Sequence, residues 1–247
     1  MTTLEPPSTG AEPALQVSGL SRSYGELEAL QGLQLEVAPG DCVALIGHNG
    51  SGKTTAVRLI GGLLDPTAGV VEVCGTAIHG AGAEAVKARA SLALVPDSPM
   101  LYGDLTVGEH LELVAIAHGI AGEDLDERID ALLGRLGLET RRDSRPGELS
   151  RGMRQKLMLA CALIRPHRVL VLDEPVVGLD PATQRTLREL LLEAKRDGVA
   201  VLLTTHQLAF ARGIADRAVL LADGAVVEEG PYDAVIDGET VYERGLR

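Results

Sequence analysis

Residues 47–54, Gly-His-Asn-Gly-Ser-Gly-Lys-Thr, constrain this chain more than any other stretch. They satisfy the pattern GxxxxGK[ST] and follow a short apolar run, residues 42–46 (CVALI). Such a run reads as a strand buried on both faces. A helix is predicted from Lys53 to about Leu64, stopped at Asp65-Pro66. The glycines let backbone N–H groups wrap a phosphate chain, Lys53 places a point charge at the outer phosphates, and the Thr54 hydroxyl can ligate Mg²⁺. The helix aims its positive N-terminus at the same anion. Gly47, Asn49, Gly50, Ser51, Gly52, Lys53, Thr54 and Thr55 are therefore the candidate phosphate-binding residues.

A second apolar run, residues 168–172 (RVLVL), ends in Asp173-Glu174. A strand that delivers two carboxylates at its C-terminal end suits a phosphate loop. Asp173 can hold Mg²⁺ through water, and Glu174 can poise an attacking water as general base. Further strands are expected at 33–37, 70–73, 91–95, 199–204, 217–222 and 225–228, with a helix from Pro181 to about Arg196 closed by Gly198. Between Thr106 and about Leu138 apolar residues recur at helical spacing, and another helix starts near Arg151 with Ser150 as its natural N-cap. Apolar strands alternating with helices imply an α/β fold with a largely parallel sheet.

The segment Leu149-Ser150-Arg151-Gly152-Met153, just upstream of the Asp173-Glu174 strand, resembles the LSGGQ signature of the ATP-binding-cassette (ABC) ATPases. Other motifs fall in the family's order: Tyr24 where it stacks adenine, Gly178-Leu179-Asp180 like its D-loop, and Thr204-Thr205-His206 like its switch histidine. The likeness runs from about Leu15 to Gly230. It implies a P-loop NTPase core, an antiparallel β portion near the N-terminus and an inserted helical subdomain at about 99–164. It implies ATP and Mg²⁺ as ligands, Glu174, His206 and Lys53 as catalytic residues, and Tyr24, Ser150, Gly152 and Asp180 as further nucleotide contacts. It also implies a head-to-tail pair of cassettes, with a homodimer expected, in which Ser150 and Gly152 of one close over ATP held by the other. Separate transmembrane permease subunits, and a place at the cytoplasmic face of the cell membrane, complete the expectation.

The chain departs from the family at three positions. Asp97 stands where the family has Gln, and is expected to reach Mg²⁺; Arg151 and Met153 replace a Gly and the Gln of the signature. LSxGM signatures resemble those of multidrug-, antibiotic- and polysaccharide-type exporters. The alternative that fits the departures is a nucleotide-binding regulator with weak hydrolysis, not coupled to transport. Repair-type relatives carry a long coiled coil between loop and signature. Here about a hundred residues separate Gly52 from Ser150, without sustained heptads. Translation-type relatives usually join two cassettes in one chain, and this chain carries one phosphate loop.

Composition narrows the partners. The chain holds 35 acidic and 23 basic residues, a net charge of −12, so no electrostatic footprint for nucleic acid is expected. Cys42, Cys74 and Cys161 are dispersed, which fits reduced thiols and not a disulfide framework or zinc site. No run approaches the roughly 18 apolar residues of a transmembrane helix. Residues 1–13 read as a flexible leader, 14–230 as the ATPase domain and 231–247 as a C-terminal tail.

Overall fold

The computed structural model describes residues 12–238; of the expected leader it covers only Glu12 and Pro13, and residues 239–247 of the expected tail lie outside it. Ten strands and eight α-helices are assigned among the described residues. Strands β1 (Leu15–Tyr24), β2 (Leu27–Val37), β4 (Ala68–Val73) and β5 (Thr76–Ala77) form an antiparallel sheet in the order β2-β1-β4-β5. Strands β3 (Cys42–Ile46), β6 (Leu92–Val95), β7 (Val169–Asp173), β8 (Ala200–Thr204), β9 (Arg217–Ala222) and β10 (Ala225–Pro231) form a second sheet, ordered β10-β9-β3-β8-β7-β6. All pairings in it are parallel except the β9–β10 hairpin. This is the α/β fold expected.

Alternation along the apolar strands explains the two-sided burial. Cys42, Ala44 and Ile46 of β3 join one core cluster, and Val43 and Leu45 join the other. In β7, Leu170 and Leu172 face the first cluster and Val169 and Val171 the second; β8 and β9 divide in the same way. Because side chains alternate across the sheet, a strand with both faces covered must be apolar throughout. Each fully buried Leu, Ile or Val contributes about 1.5–3 kcal/mol. The second cluster lies between this sheet, helix α1 (Lys53–Ile60) and the antiparallel sheet.

Helices α3 (Val107–Ala117), α4 (Leu125–Leu136) and α5 (Arg151–Leu163) build the helical region. They pack through Leu111, Ala115, Ile129, Leu133 and Leu157, all fully buried. Arg142 fastens this unit by pairing with Asp126 and Asp130 of α4 and, at 3.8 Å, Glu112 of α3. Helix α3 opens with a capping box. Thr106 Oγ1 accepts from the Glu109 amide (3.2 Å), and the Glu109 carboxylate accepts from the Thr106 amide (2.7 Å).

Beyond β1, β5 and helix α7 (Leu208–Ala211), which were not individually expected, three further differences stand out. Helix α1 stops at Ile60, four residues before Leu64, because Gly61 and Gly62 follow and Gly62 takes φ +70°. Helix α2 (Ala83–Ala90), unanticipated, buries only Ala85 and Ala88 and so lacks an apolar stripe. The boundary expected at Gly230 falls inside β10, and helix α8 (Tyr232–Ile236) follows with Tyr232, Val235 and Ile236 buried against the core. Residues 231–236 are thus part of the folded unit, since three buried apolar side chains on five residues cannot be left in water without cost.

Removing the cap of α3 by Thr106→Ala is expected to destabilise the chain by about 1 kcal/mol. Chemical denaturation should show a lower midpoint with an unchanged slope, and Thr106→Ser should restore it.

Candidate active site

The loop after β3 is wedged between neighbours that leave no room for side chains. A Cβ on Gly47 would lie 2.4 Å from Leu221 O. Gly52 sits at φ +106°, and a Cβ there would lie 2.7 Å from Ala29 O of β2. Only glycine tolerates both that backbone region and that approach. The β9–β10 turn supports the loop from below, with the Gly224 amide donating to Ser51 O (3.1 Å). Gly50, Asn49 and His48 form the outer part of the loop, and α1 begins directly at Lys53.

Lys53 is 6% exposed. Its ammonium donates to Gly47 O (2.8 Å) and His48 O (3.1 Å). Burial pulls its pKa down, while Glu174 and Asp173 pull it back up. Lys53 is therefore a cation already desolvated and aimed at the loop interior, where a phosphate oxygen can replace its carbonyl partners. The Ser51 hydroxyl is buried with no protein partner, and buried polar groups are seldom left so.

Parallel pairing puts Asp173 opposite Thr204 at the ends of β7 and β8. Thr204 Oγ1 donates to Asp173 Oδ1 at 2.6 Å. Burial raises the Asp173 carboxyl, hydrogen bonds from Thr204 and Thr54 lower it, and Asp97 and Glu174 raise it again. Thr54 hydroxyl and Asp173 carboxylate thus meet, with Asp97 and Glu174 close enough to be felt. Asp173 and Glu174 act on the one ammonium and Asp97 acts on Asp173, which leaves an excess of negative charge, and their hard oxygen donors suit Mg²⁺. The residues present fit that ion: Thr54 and Asp173 would hold it, and when bound it would neutralise phosphate charge.

Glu174 adopts φ +48°, a conformation that side chains other than glycine rarely take. The turn is locked because the Glu174 amide donates to Thr204 O (3.2 Å) and Thr204 Oγ1 (3.0 Å). Strain of this kind persists only where the surroundings fix it. His206 then closes on the carboxylate: Glu174 Oε2 accepts from the His206 amide (3.2 Å) and lies 2.8 Å from Nδ1. The imidazole is half-exposed and the carboxylate mostly covered. Lys53, Thr54, Asp173, Glu174, Asp97 and His206 are in this way gathered at the C-terminal ends of β3, β6, β7 and β8.

Tyr24 ends β1 at the hairpin that also brings Ala29 against Gly52. It is 45% exposed, with the Arg22 guanidinium 4.8 Å from its ring centroid. One ring face is thus taken by a cation, and nearly half of the residue is open to solvent. Ser150 and Gly152 lie at the start of α5. Ser150 Oγ caps α5 by accepting from the Met153 amide (3.2 Å). A Cβ on Gly152 would lie 2.6 Å from Gly178 O. Asp180 caps helix α6 (Pro181–Arg196), accepting from the Thr183 amide (2.9 Å) and hydroxyl (2.7 Å), and those bonds, with Lys156, hold its carboxyl far below the usual range.

Thr204 is the residue whose role sequence reasoning missed, although it stood in the quoted Thr204-Thr205-His206. The signal was a hydroxyl at the end of a buried strand that parallel register sets beside Asp173.

Residues 30–177, more than half of the chain, match the ABC transporter family. The chain is 37% identical over 216 residues to an ABC-type transporter ATP-binding protein, EcsA, of Bacillus subtilis, covering 87% of this chain and 86% of that one. It is 36% identical over 228 residues to Nod factor export ATP-binding protein I of Paraburkholderia xenovorans, covering 92% and 74%. Among solved structures, an ATP-binding cassette captured as a dimer in a post-hydrolysis state with ADP and Pi superposes with a TM-score of 0.78 at 27% identity, covering 88% of this chain and 98% of that one. With its phosphate loop, paired carboxylates and ordered motifs, the chain belongs to the ABC transporter family as an ATP-binding subunit that hydrolyses ATP with Mg²⁺.

Proposed function

We propose that the chain is one of a head-to-tail pair of cassettes that drives export through separate transmembrane subunits at the cytoplasmic face of the cell membrane. The observation that carries the pair is the exposed start of α5, where Ser150 and Arg151 are open to solvent and Gly152 rests against Gly178 O. Ser150 caps this helix, so its N-terminus is ordered to meet an anion presented by another molecule. A dimeric cassette with ADP and Pi among the similar structures supports pairing. The likeness to a protein named for Nod factor export supports the direction of transport. No helix among the described residues is long and apolar enough to cross a membrane.

Within each site Lys53 and the loop amides bind the phosphate chain, and Tyr24 offers its ring to the base. Glu174 takes the proton of the attacking water, and His206 orients that carboxylate and the outer phosphate. Ser150 and Gly152 of the second copy seal the site, so that hydrolysis and closure are linked. Gel filtration of the Glu174→Gln variant with ATP tests the pair: a dimer is expected, and Ser150→Arg in the same background should keep it monomeric. A dimer that persists with Ser150→Arg overturns the head-to-tail arrangement.

Glu174→Gln is expected to keep nucleotide affinity and to slow hydrolysis about 10²–10⁴-fold, the usual loss of a general base. Turnover within twofold of the parent would mean that another group is the base.

Lys53→Ala should act earlier, on binding. A charge-assisted contact to phosphate is worth about 1.5–3 kcal/mol, so calorimetry should report ATP affinity lower by roughly one to two orders of magnitude.

Asp97 is half-buried and felt electrostatically by Asp173. We assign it a water-mediated contact to Mg²⁺ in the ATP state. Asp97→Ala should raise the Mg²⁺ concentration needed for half-maximal ATPase rate, and Asp97→Gln should largely restore the rate. A Mg²⁺ titration curve unmoved by Asp97→Ala makes it a turn residue only.

A further inference from the structure

The expected C-terminal tail is bonded to the segment that carries His206. Tyr232 opens α8 and is 2% exposed. Its amide donates to Asp216 O (2.9 Å). Asp216 Oδ2 in turn accepts from the Cys42 amide at the start of β3 (2.7 Å) and from Lys195 Nζ of α6 (2.7 Å). The backbone of Tyr232 is thus fixed to the frame of the parallel sheet.

From that anchor the phenol donates to Leu208 O at 2.6 Å. Leu208 starts helix α7 (Leu208–Ala211), two residues after His206. A four-residue helix has too few internal bonds to hold its own shape, and outside donors hold this one. Arg188 of α6 donates to Phe210 O (2.9 Å) and Arg212 O (2.7 Å). Arg212 pairs with Asp233 (3.4 Å) and Asp237 (2.9 Å) beside α8. Of these contacts the one from Tyr232 lies nearest to His206 in the chain. Gln207, the residue between, is tied back to Thr205 Oγ1 through its amide (2.9 Å). The path from the sheet frame through Tyr232 to the His206 turn therefore contains no slack residue.

We propose that Tyr232 is a positioning residue for ATP hydrolysis: by fixing Leu208 it sets the direction in which His206 leaves β8 and meets Glu174. The inference rests on the role assigned to His206 above. Burial pushes the phenol up to about 12, so it remains a donor under ordinary assay conditions. Without the hydroxyl, Leu208 O loses its bond, α7 samples more orientations, and the fraction with His206 aligned falls. The loss appears in turnover because the phosphate loop, which carries binding, is on another element.

The test is Tyr232→Phe in the full chain, which keeps the ring in its packed place. The kcat for ATP is expected to fall roughly three- to tenfold, with KM changed by less than about twofold. The chain has six histidines, few enough to follow by imidazole NMR. The His206 resonance, identified by its loss in His206→Ala, is expected to move in Tyr232→Phe, while that of His79, which lies by Asp65, stays. Ile129→Val in α4 serves as a control for lost core stability and should keep full turnover. An unchanged kcat in Tyr232→Phe, or an unmoved His206 resonance, overturns the proposal. If His206→Ala itself turns over like the parent, the role of His206 fails first and this proposal with it. If His206→Ala is slow and Tyr232→Phe is silent, only the positioning role fails.

Discussion

The 2.6 Å hydrogen bond from Thr204 Oγ1 to Asp173 Oδ1 holds the site in register. It joins the ends of two parallel strands at the point where both must stop, and the same threonine accepts from the Glu174 amide. One side chain therefore fixes the direction of one carboxylate and the turn that projects the next. Parallel pairing makes this arrangement available, because every strand end of one sense emerges at the same edge of the sheet. With β8 antiparallel to its neighbours, Thr204 and the His206 turn would leave at the edge opposite to the phosphate loop after β3 and the acids after β7.

That edge is electrostatically unfinished. Lys53 cannot balance Asp173, Glu174 and Asp97, and burial already disfavours charge on both Lys53 and Asp173. Buried like charges cost free energy unless a counter-ion joins them. The positive φ of Glu174 adds strain of order 1–3 kcal/mol. A fold selected for stability alone would remove both features. Their presence at one sheet edge is the physical reason to locate the chemistry there, and it agrees with the ATP-hydrolysing family to which the chain belongs.

The sequence made some of this legible and hid the rest for definable reasons. The loop at Gly47–Thr54 and the acids at Asp173-Glu174 are local patterns, each carried by contiguous residues after an apolar run. Ser150 as a cap of α5 was readable because capping depends on a span of four residues. The end of α1 was misplaced because Asp65-Pro66 is a louder stop than Gly61-Gly62, yet the glycines come first. Strand β1 was covered only by the expectation of an antiparallel portion, since bulges near Gly19 interrupt its alternation. Helix α2 shows no stripe because little of it is buried. Thr204 and Tyr232 were hidden for a different reason. Their importance lies in partners 31 and 24 residues away, which no local pattern encodes.

The same distinction bears on how the two halves of the proposed paired site would communicate. The signature helix α5 touches the segment between Glu174 and Asp180 through Gly152, which admits no side chain because Gly178 O would lie 2.6 Å from it. That segment is stiff: Val177 N donates to Glu174 O, Leu179 N to Val176 O, and Asp180 is locked as the cap of α6. Gly178 therefore joins α5 to the segment that runs from Glu174 to the start of α6. Helix α6 in turn holds α7 through Arg188. Glu174 and His206, which meet at 2.8 Å, are thus joined through these contacts to the signature and to α6. In the proposed pair, closure on a neighbour's ATP would press on those contacts and bring base and histidine into line within the chain's own site.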